Sequence, residues 1–265
     1  MTATRIAING AAGRMGKRLV ALAAADAELQ VTAALEHAAH PALGSDAGSL
    51  AGIDTIGVPL SAELTAPVDA VIDFSVPPAA EAAMRICLDR QIPLVMATTG
   101  LSDAQQQLVR QTAERTAVCW APNMSLAVNL TMKLASIAAA ALKTYPSGAD
   151  VEIIERHHRF KEDAPSGTAL KFGELIAQQM GQTDHVHGRQ GRPGARNSSE
   201  IGYHAVRVGD DPGQHTIVFG LLGETVELRV AATNRDAYAT GALTAAKYIA
   251  TRPAGLYDMF DVLGL

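Results

Sequence analysis

Two histidines and a lysine lie close together on a polar segment near the middle of the chain. His157, His158 and Lys161 follow an alternating apolar and polar run at 151–155, which is typical of a β-strand. An imidazole titrates near neutral pH, and a lysine can transfer a proton when its surroundings lower its pKa. We therefore predict proton transfer by His157 and Lys161, and expect their mutual repulsion to lower both pKa values. Adjacent strand residues point to opposite faces, so His157 and His158 need not share a role.

A helix is predicted directly after this polar segment. The run Pro-Ser-Gly-Thr at 165–168 precedes apolar residues at helical spacing up to residue 180. Ser166 could be interpreted as a nucleophile, but its spacing from Asp163 is better explained by capping of the helix N-terminus. The N–H groups and the dipole at a helix N-terminus favour an anion, which makes Gly167 and Thr168 candidates for binding a carboxylate.

Other polar residues in this half of the chain are candidates for an ion pair and for a metal site. We predict that Glu155 is an ion-pair partner of Arg156 or Arg159. A metal site at His185 and His187 is disfavoured, because no cysteine or carboxylate lies at ligand spacing from them.

The first half of the chain has the pattern of a dinucleotide-binding unit. A strand at 5–9 leads into Gly-Ala-Ala-Gly-Arg-Met-Gly at 10–16 and then into a helical apolar stripe. Gly10 would allow a tight turn, Gly13 would let N–H groups approach a pyrophosphate, and Gly16 would let the helix pack close to the sheet. The spacing is G-x-x-G-x-x-G rather than G-x-G-x-x-G, so an ordinary turn is the alternative. Glu36 ends the second strand, 20 residues after Gly16, where an acid would bind the adenosine ribose hydroxyls. A solvated charge is the alternative.

Strands and helices alternate through this half. The strands are predicted at 5–9, 29–35, 68–74, 93–97 and 116–120. The helices after the first are predicted at 77–88, from a capping box at Ser102 and Gln105, and at about 124–142. This pattern predicts an α/β fold with a Rossmann-type, doubly wound parallel sheet, whose ligands bind beyond the strand carboxyl ends. The loops at those ends are 73–75, 97–100 and 121–124.

The pattern changes after the Pro-Ser-Gly turn at 146–148. Strands are predicted at 149–156, 199–208, 214–220 and 224–232, with a single helix at 168–180. We therefore predict an α+β domain with a mixed, mostly antiparallel sheet, one face of which needs a partner or a polar coat. The polar segment 181–198 is predicted to be mobile, and a final helix is predicted at 237–249.

One segment resembles the signature of a known family. Glu155-x-His157-His158-x-x-Lys161-x-Asp163-Ala-Pro-Ser-Gly-Thr-Ala is similar to the signature of the 4-hydroxy-tetrahydrodipicolinate reductases, also called dihydrodipicolinate reductases. The resemblance covers nearly the whole chain. It implies reduction of 4-hydroxy-tetrahydrodipicolinate to tetrahydrodipicolinate in lysine and diaminopimelate biosynthesis, with a hydride from nicotinamide C4 of NADH or NADPH.

The resemblance also implies which residues act. His157 and Lys161 would be catalytic, Gly167 and Thr168 would bind one substrate carboxylate, and His158, alone or with Lys161, would bind the other. The implied cofactor-binding residues are Gly10, Ala11, Ala12, Gly13, Arg14, Met15, Glu36, His37, Ala97, Thr98, Thr99, Ala121, Pro122, Asn123 and Met124.

Two of these positions depart from the family pattern. The family often has arginine in place of His37, where it meets the 2′-phosphate of NADP. Because histidine is mostly neutral near pH 7, we expect NADH to be used at least as well as NADPH. The family usually has glycine in place of Ala97, so its methyl group could crowd the edge of the cofactor.

The resemblance further implies three segments and an assembly. Residues 1–125 would bind the dinucleotide, 126–235 would bind substrate and form the oligomer, and 236–265 would return to the first domain. The chain would cross between the domains near 125 and 235, which would act as hinges. The family implies a homotetramer, with the mixed sheets at its centre.

Composition limits the remaining classes. The net charge of −5 over 265 residues disfavours nucleic acid as a partner, and no apolar run is long enough to span a membrane. Without a signal peptide and with only Cys87 and Cys119, both in apolar segments, we expect a cytoplasmic protein with reduced thiols.

One alternative to the reductase is another aspartate-family dehydrogenase, although semialdehyde chemistry would need a cysteine in a polar loop. The other is a non-catalytic dinucleotide sensor, which would not need His157 or Lys161.

Overall fold

The computed structural model describes residues 2–145 and 148–265, and the chain folds into two compact units. The first unit comprises Met1–Leu126 and Arg235–Leu265, and the second comprises Ala127–Asn234. Pro146 and Ser147, at which the sequence predicts a change of pattern, lie outside the described residues.

Most strands and helices follow one another along the chain as the periodicity predicts. The strands are β1 (Thr4–Asn9), β2 (Leu29–Leu35), β3 (Leu60–Ser61), β4 (Ala70–Asp73), β5 (Leu94–Met96), β6 (Ala117–Trp120), β7 (Asp150–His157), β8 (Asp184–His187), β9 (Glu200–Arg207), β10 (Gln214–Leu221), β11 (Glu224–Ala231) and β12 (Gly255–Tyr257). The helices are α1 (Arg14–Ala24), α2 (Ala47–Ala51), α3 (Pro77–Arg90), α4 (Asp103–Ala113), α5 (Leu126–Leu142), α6 (Gly167–Met180), α7 (Asp236–Ile249) and α8 (Met259–Leu263). The sequence pattern does not predict the short elements α2, β3, β8, β12 and α8.

The first unit is built on a parallel sheet of seven strands in the order β12-β6-β5-β4-β1-β2-β3. All of its strand pairs are parallel, which confirms the predicted doubly wound fold. The strand order reverses direction between β1 and β4, and at such a switch point the loops after the strands diverge and leave a crevice.

Both faces of this sheet are covered by helices. Ile6 and Ile8 of β1 pack on one face with residues of α1 and α7, whereas Ala7 packs on the other face with residues of α3 and α4. Cys87 and Cys119 are buried and free, as predicted. A sheet buried on both faces reads as a continuous apolar run, which is why β1, β4 and β5 are recognisable from their sequence.

The second unit contains a mixed sheet of five strands in the order β11-β10-β7-β9-β8. β10 pairs antiparallel with β7 and β11, whereas β9 pairs parallel with β7 and β8. Alternate residues of β7, including Val151 and Ile153, are buried together with Phe172 and Ile176 of α6. The predicted mixed sheet with α6 packed on it is therefore confirmed, but the unit contains a second helix, α5, which the sequence pattern groups with the first half.

The segment 181–198 differs from its prediction. It was expected to be mobile, but Asp184–His187 forms β8 and pairs in parallel with Glu200–Tyr203. Its sequence, Asp-His-Val-His, has only one apolar residue, so its strand conformation depends on pairing with β9 rather than on a local pattern. In the part of the chain that is described, no helix is long and apolar enough to cross a membrane.

Candidate active site

The glycines after β1 are required by close backbone contacts. Gly10 has a φ of +80°, and a Cβ there would lie 2.9 Å from the carbonyl oxygen of Phe74. A Cβ on Gly16 would lie 2.1 Å from the carbonyl oxygen of Gly10, so α1 can approach the turn only without a side chain here. Gly13 is the N-cap of α1, and it has no side chain that could accept a hydrogen bond from the first N–H groups of the helix. The turn therefore has the backbone shape and the exposed helix N-terminus that suit a pyrophosphate.

Glu36 and His37 follow β2 beside this turn. Oε2 of Glu36 accepts a hydrogen bond from the N–H of Ala12 at 3.2 Å, and its Oε1 accepts one from the N–H of His37 at 3.1 Å. His37 is exposed, and its Nδ1 accepts a hydrogen bond from the N–H of Ala39 at 3.2 Å. Nδ1 of His37 is therefore an acceptor in this arrangement, and Nε2 is the ring nitrogen left to contact a ligand.

Two cavities in the first unit are lined by many of the predicted cofactor-binding residues. The larger has a volume of about 870 Å³, and the predicted residues that line it are Gly10, Gly13, Arg14, Met15, Glu36 and His37. The smaller has a volume of about 190 Å³, and the predicted residues that line it are Met15, Ala97, Pro122, Asn123 and Met124. The predicted residues outside both linings are Ala11, Ala12, Thr98, Thr99 and Ala121. Together the turn, the acid and the cavities fit a dinucleotide.

Residues that were not predicted also line the smaller cavity. Phe74 follows β4, Arg235 is the N-cap of α7, and Tyr238 lies in the first turn of α7. For Arg235 the sequence resemblance implies only that the chain crosses between the domains near this residue. Its place in the cavity depends on the return of the chain to the first unit, which has no local sequence signal.

A buried carboxylate supports the loops at this edge of the sheet. Asp73 is fully buried at the end of β4, and it accepts hydrogen bonds from Nδ2 of Asn9 at 2.6 Å, Oγ of Ser75 at 2.7 Å and Oγ1 of Thr98 at 2.5 Å. Burial raises the pKa of Asp73, and the bonds from Thr98, Ser75 and Asn9 oppose that rise. Thr98 therefore acts in the framework of the cavity, through Asp73, rather than in its lining.

His157, in the second unit, is held by a neighbouring acid on the same strand. Glu155 and His157 are two residues apart on β7, so both side chains point to the face that packs on α6. Nδ1 of His157 lies 2.5 Å from Oε2 of Glu155, whose side chain is fully buried. Burial lowers the pKa of His157, and the nearby charges of Lys161 and Arg207 act in the same direction, while the bond to Glu155 opposes them. The predicted effect of Lys161 on His157 is present, but burial is the largest cause.

The ion pair of Glu155 differs from its prediction. Its carboxylate accepts two hydrogen bonds from Arg207, at 2.9 Å from Nη1 and 2.8 Å from Nη2, instead of bonds from Arg156 or Arg159. Arg156 bonds to Asp211 on the other face of the sheet. Burial acts to raise the pKa of Glu155, but the bonds from Arg207 and His157 outweigh it and hold the pKa below its usual value.

A second buried histidine packs against the first. The ring of His215, on β10, lies 5.3 Å from the ring of His157 in an edge-to-face arrangement. Its Nε2 lies 3.2 Å from Oγ of Ser166. Burial lowers the pKa of His215 to about 4, so this ring is neutral at physiological pH. His215 was not singled out in the sequence, since its spacing from the signature is long and has no pattern.

Lys161 and His158 lie on the connection that follows β7. Nζ of Lys161 is 2.8 Å from Oδ1 of Asp163, and its side chain is 22% exposed. Within the described residues, Nδ1 of His158 is buried and has no hydrogen-bond partner. An unpaired buried nitrogen is costly, so this position favours a further polar partner.

The helix start at α6 is as predicted. Ser166 is the N-cap, and its Oγ accepts a hydrogen bond from the N–H of Ala169 at 3.2 Å. Gly167 and Thr168 are the first two residues of α6, where a helix dipole favours an anion. The second unit thus brings together a titratable imidazole, a lysine and a helix N-terminus. No group of three His, Cys, Asp or Glu residues that could hold a metal ion was found within 2–145 and 148–265.

Comparisons with known proteins cover both units. Residues 4–124 match the family model of dihydrodipicolinate reductase, N-terminus, and residues 127–263 match that of dihydrodipicolinate reductase, C-terminus. The chain belongs to the dihydrodipicolinate reductase family. A 4-hydroxy-tetrahydrodipicolinate reductase of Rhodopirellula baltica is 56% identical over 268 residues, with 98% of this chain and 96% of the relative covered. Another, of Methylococcus capsulatus, is 43% identical, with 98% of each chain covered.

Solved structures give a second comparison. The dipicolinate-bound dihydrodipicolinate reductase of Paenisporosarcina is 29% identical, with a TM-score of 0.79, and the match covers 98% of this chain and 99% of the other. An aspartate semialdehyde dehydrogenase of Vibrio cholerae, at 12% identity and a TM-score of 0.52, shares the fold alone. As a dihydrodipicolinate reductase family member, the chain is an oxidoreductase that uses NADH or NADPH.

Proposed function

We propose that this protein reduces 4-hydroxy-tetrahydrodipicolinate to tetrahydrodipicolinate in lysine and diaminopimelate biosynthesis. The observation that carries the proposal is the placement of His157, Lys161 and the start of α6 in one unit of a chain that belongs to this family. The relatives' names give the substrate, and the related Paenisporosarcina structure holds dipicolinate, a ring with two carboxylates.

The cofactor belongs to the first unit in this proposal. The turn at Gly10, Gly13 and Gly16 would hold the pyrophosphate, and Glu36 would bind the adenosine ribose. The loops at 97–99 and 121–124 would position the nicotinamide and its ribose, although only Ala97, Pro122, Asn123 and Met124 of these residues line the smaller cavity. When bound, NADH or NADPH supplies a hydride from C4 of its nicotinamide.

The second unit would bind the substrate and complete its reduction. Gly167 and Thr168 would bind one carboxylate at the N-terminus of α6, and His158 with Lys161 would bind the other. The product lacks the 4-hydroxyl, so that group would leave as water, the resulting conjugated ring would accept the hydride, and the ring would then take up one proton. His157 at the end of β7 and Lys161 on the connection that follows are the candidates to give that proton. Lys161 would exchange Asp163 for a substrate carboxylate when the substrate binds.

The decisive experiment is an assay in which the substrate is generated enzymatically in the same reaction mixture. Purified protein, NADH and substrate generated by the preceding synthase should lose NADH absorbance, and pyridine-2,6-dicarboxylate should inhibit the loss by competing for the two carboxylate sites. A dinucleotide sensor would bind NADH in calorimetry and show no turnover in this assay. That result would rule out the reductase.

Replacement of His37 by arginine should favour NADPH. An arginine at the end of β2 could bond the 2′-phosphate with two parallel charged hydrogen bonds, a geometry that the imidazole of His37 does not offer, since its Nδ1 already accepts a bond from Ala39. A charge-assisted bond is worth about 1.5–3 kcal/mol, so kcat/KM for NADPH relative to NADH should rise roughly tenfold or more.

His40 provides the matched control for that substitution. It lies three residues further on, outside the larger cavity, and its Nδ1 accepts a hydrogen bond from the N–H of Ala42. His40→Arg adds the same charge and should leave the cofactor ratio unchanged. If His37→Arg also leaves the ratio unchanged, position 37 has no role in cofactor choice.

The oligomeric state and the cellular compartment are part of the same proposal. Ile154 and Val206 are each 42% exposed on the face of the mixed sheet opposite α6, and an apolar sheet face of this kind is suited to burial against another subunit. We infer a homotetramer formed through residues 126–235, working in the cytoplasm, where Cys87 and Cys119 stay reduced. Sedimentation velocity should give the mass of four chains, and Ile154→Lys should lower that mass.

A further inference from the structure

Each oxygen of the Glu155 carboxylate accepts two hydrogen bonds from residues around the candidate site. Oε2 accepts from Nδ1 of His157 at 2.5 Å and from Nη1 of Arg207 at 2.9 Å. Oε1 accepts from Nη2 of Arg207 at 2.8 Å and from the N–H of Ser166 at 3.1 Å. These four bonds come from β7, β9 and the start of α6, so the carboxylate has little freedom to turn.

This arrangement decides which nitrogen of His157 carries the proton that can be exchanged. An ionised carboxylate only accepts hydrogen bonds, so Nδ1 must donate to Glu155. Proton transfer to a ligand is then confined to Nε2 on the other side of the ring. An orienting carboxylate of this kind fixes the tautomer of a catalytic imidazole in the same way in other acid–base sites.

The space beside Nε2 of His157 is open only because residue 213 is a glycine. Gly213 has a φ of +130°, and a Cβ there would lie 2.8 Å from Nε2 of His157. Any side chain at this position would therefore press on the nitrogen that the bond to Glu155 leaves available. The turn is fixed by the N–H of Gly213, which donates to Oδ1 of Asp211 at 2.8 Å.

Arg207 balances the charge of the orienting acid. A buried carboxylate alone would hold the imidazole in its protonated form, which would make His157 a poor proton donor. The bidentate bond from Arg207 neutralises the carboxylate while leaving its geometry intact. Nη2 of Arg207 also donates to the carbonyl oxygen of Asp163 at 2.7 Å, which ties this pair to the connection that carries Lys161.

We propose that Glu155 and Arg207 act together as positioning residues for His157, with Glu155 holding Nδ1 so that Nε2 exchanges the proton, and Arg207 orienting and neutralising Glu155. This inference rests on the proposed function, because it assigns the geometry that His157 needs for its part in the reduction. Neither residue needs to touch the substrate.

The charged groups that face His157 come from every element packed against it. Glu155 lies on its own strand, Arg207 on β9, His215 on β10, and Lys161 on the following connection. His215 is neutral at physiological pH, and Lys161 stays the same in the variants below. The two changes therefore isolate the effects of Glu155 and Arg207.

The test is the pH dependence of kcat/KM in two variants with opposite charge effects. A step that needs protonated His157 loses rate as pH rises through the pKa of that group. Glu155→Gln removes the negative charge and should move this midpoint roughly one unit lower, whereas Arg207→Met removes the positive charge and should move it roughly one unit higher. Arg207→Lys keeps the charge and should restore the parent midpoint.

A matched control uses another glutamate of the same strand. Glu152 pairs with Arg189 at 2.8 Å on the opposite face of β7. Glu152→Gln removes a charge that Arg189, Arg196 and His204 all bond, without changing the surroundings of His157, so the midpoint of this variant should match the parent. If Glu155→Gln and Arg207→Met move the midpoint in one direction, or leave it in place, the inference is wrong. Should Arg207→Met not fold, the contrast between Glu155→Gln and Arg207→Lys decides in the same way.

A second readout does not depend on turnover. In protein labelled with ¹⁵N-histidine, the signals of His157, assigned by their loss in His157→Gln, should show the Nδ1–H tautomer in the parent. Glu155→Gln should lose that preference, because an amide can also donate to Nδ1. Retention of the Nδ1–H tautomer in Glu155→Gln would overturn the inference. Full activity of His157→Gln would instead refute the proposed role of His157 in the reaction, so the two failures are distinguishable.

Discussion

Replacement of Lys161 by alanine should lower kcat by roughly 10²- to 10⁴-fold, the range for loss of a proton donor or acceptor. Its ammonium is 2.8 Å from Asp163, and its side chain is partly exposed, so it can change partners when a substrate carboxylate arrives. Its charge also acts, with burial as the larger cause, to lower the pKa of His157. The measurement is kcat and KM in the NADH oxidation assay, with NADH affinity measured separately by calorimetry. That affinity should match the parent.

Two further lysine variants separate the possible causes of such a loss. Lys161→Arg keeps a positive charge but does not release a proton at neutral pH. It should recover substrate affinity without recovering kcat, whereas full recovery would show that charge alone is needed. Lys171→Ala removes a lysine that pairs with Glu174 at 3.0 Å on the surface of α6, and it should behave as the parent does. Unchanged kcat in Lys161→Ala would remove Lys161 from the mechanism.

The fold could be predicted because its periodicities are local. Apolar runs between polar turns predict β1 and β4, and alternation predicts β7, since both patterns follow from which faces are buried. β8 could not be predicted in this way, because a polar strand of four residues gains its conformation from backbone bonds to β9. The short β3 likewise depends on its pairing with β2.

In the candidate site, too, the local features could be predicted and the long-range contacts could not. His157, Lys161 and the start of α6 lie within one contiguous segment, so their types and spacing predict them. The partner of Glu155 lies 52 residues away on β9, and strand alternation alone excludes Arg156, which must point to the opposite face. Register between strands decides such partners, and a single sequence does not encode register in a readable pattern.

The buried partners in the first unit were missed for the same reason. Asp73 was recognised as part of a loop after a strand, but its full burial and its bonds to Asn9 and Thr98 depend on how three strand ends converge. A polar residue at the end of a strand is usually solvated. Only the parallel register of β4 with β1 and β5 brings the donors to this carboxylate.

Replacement of Gly16 by alanine should weaken NADH binding by roughly 10- to 100-fold and destabilise the fold by about 1–3 kcal/mol. The added methyl group would lie 2.1 Å from the carbonyl oxygen of Gly10 and 2.5 Å from Cα of Ala11. Both atoms belong to the backbone of the turn, so relief requires α1 to move away from β1. That movement displaces the helix N-terminus from the pyrophosphate position. Calorimetry measures the affinity, and urea denaturation measures the free energy of unfolding.

Gly220 supplies the matched control, because the same substitution there meets ordinary space. A Cβ on Gly220, in β10, would lie 3.7 Å from Cβ of Asp150, which is a normal van der Waals contact. Gly220→Ala should therefore keep parent affinity and stability. If Gly16→Ala binds NADH as tightly as the parent, the close approach of α1 to the turn is not what shapes the pyrophosphate site. A loss of stability alone, with affinity intact, would confine the role of Gly16 to packing.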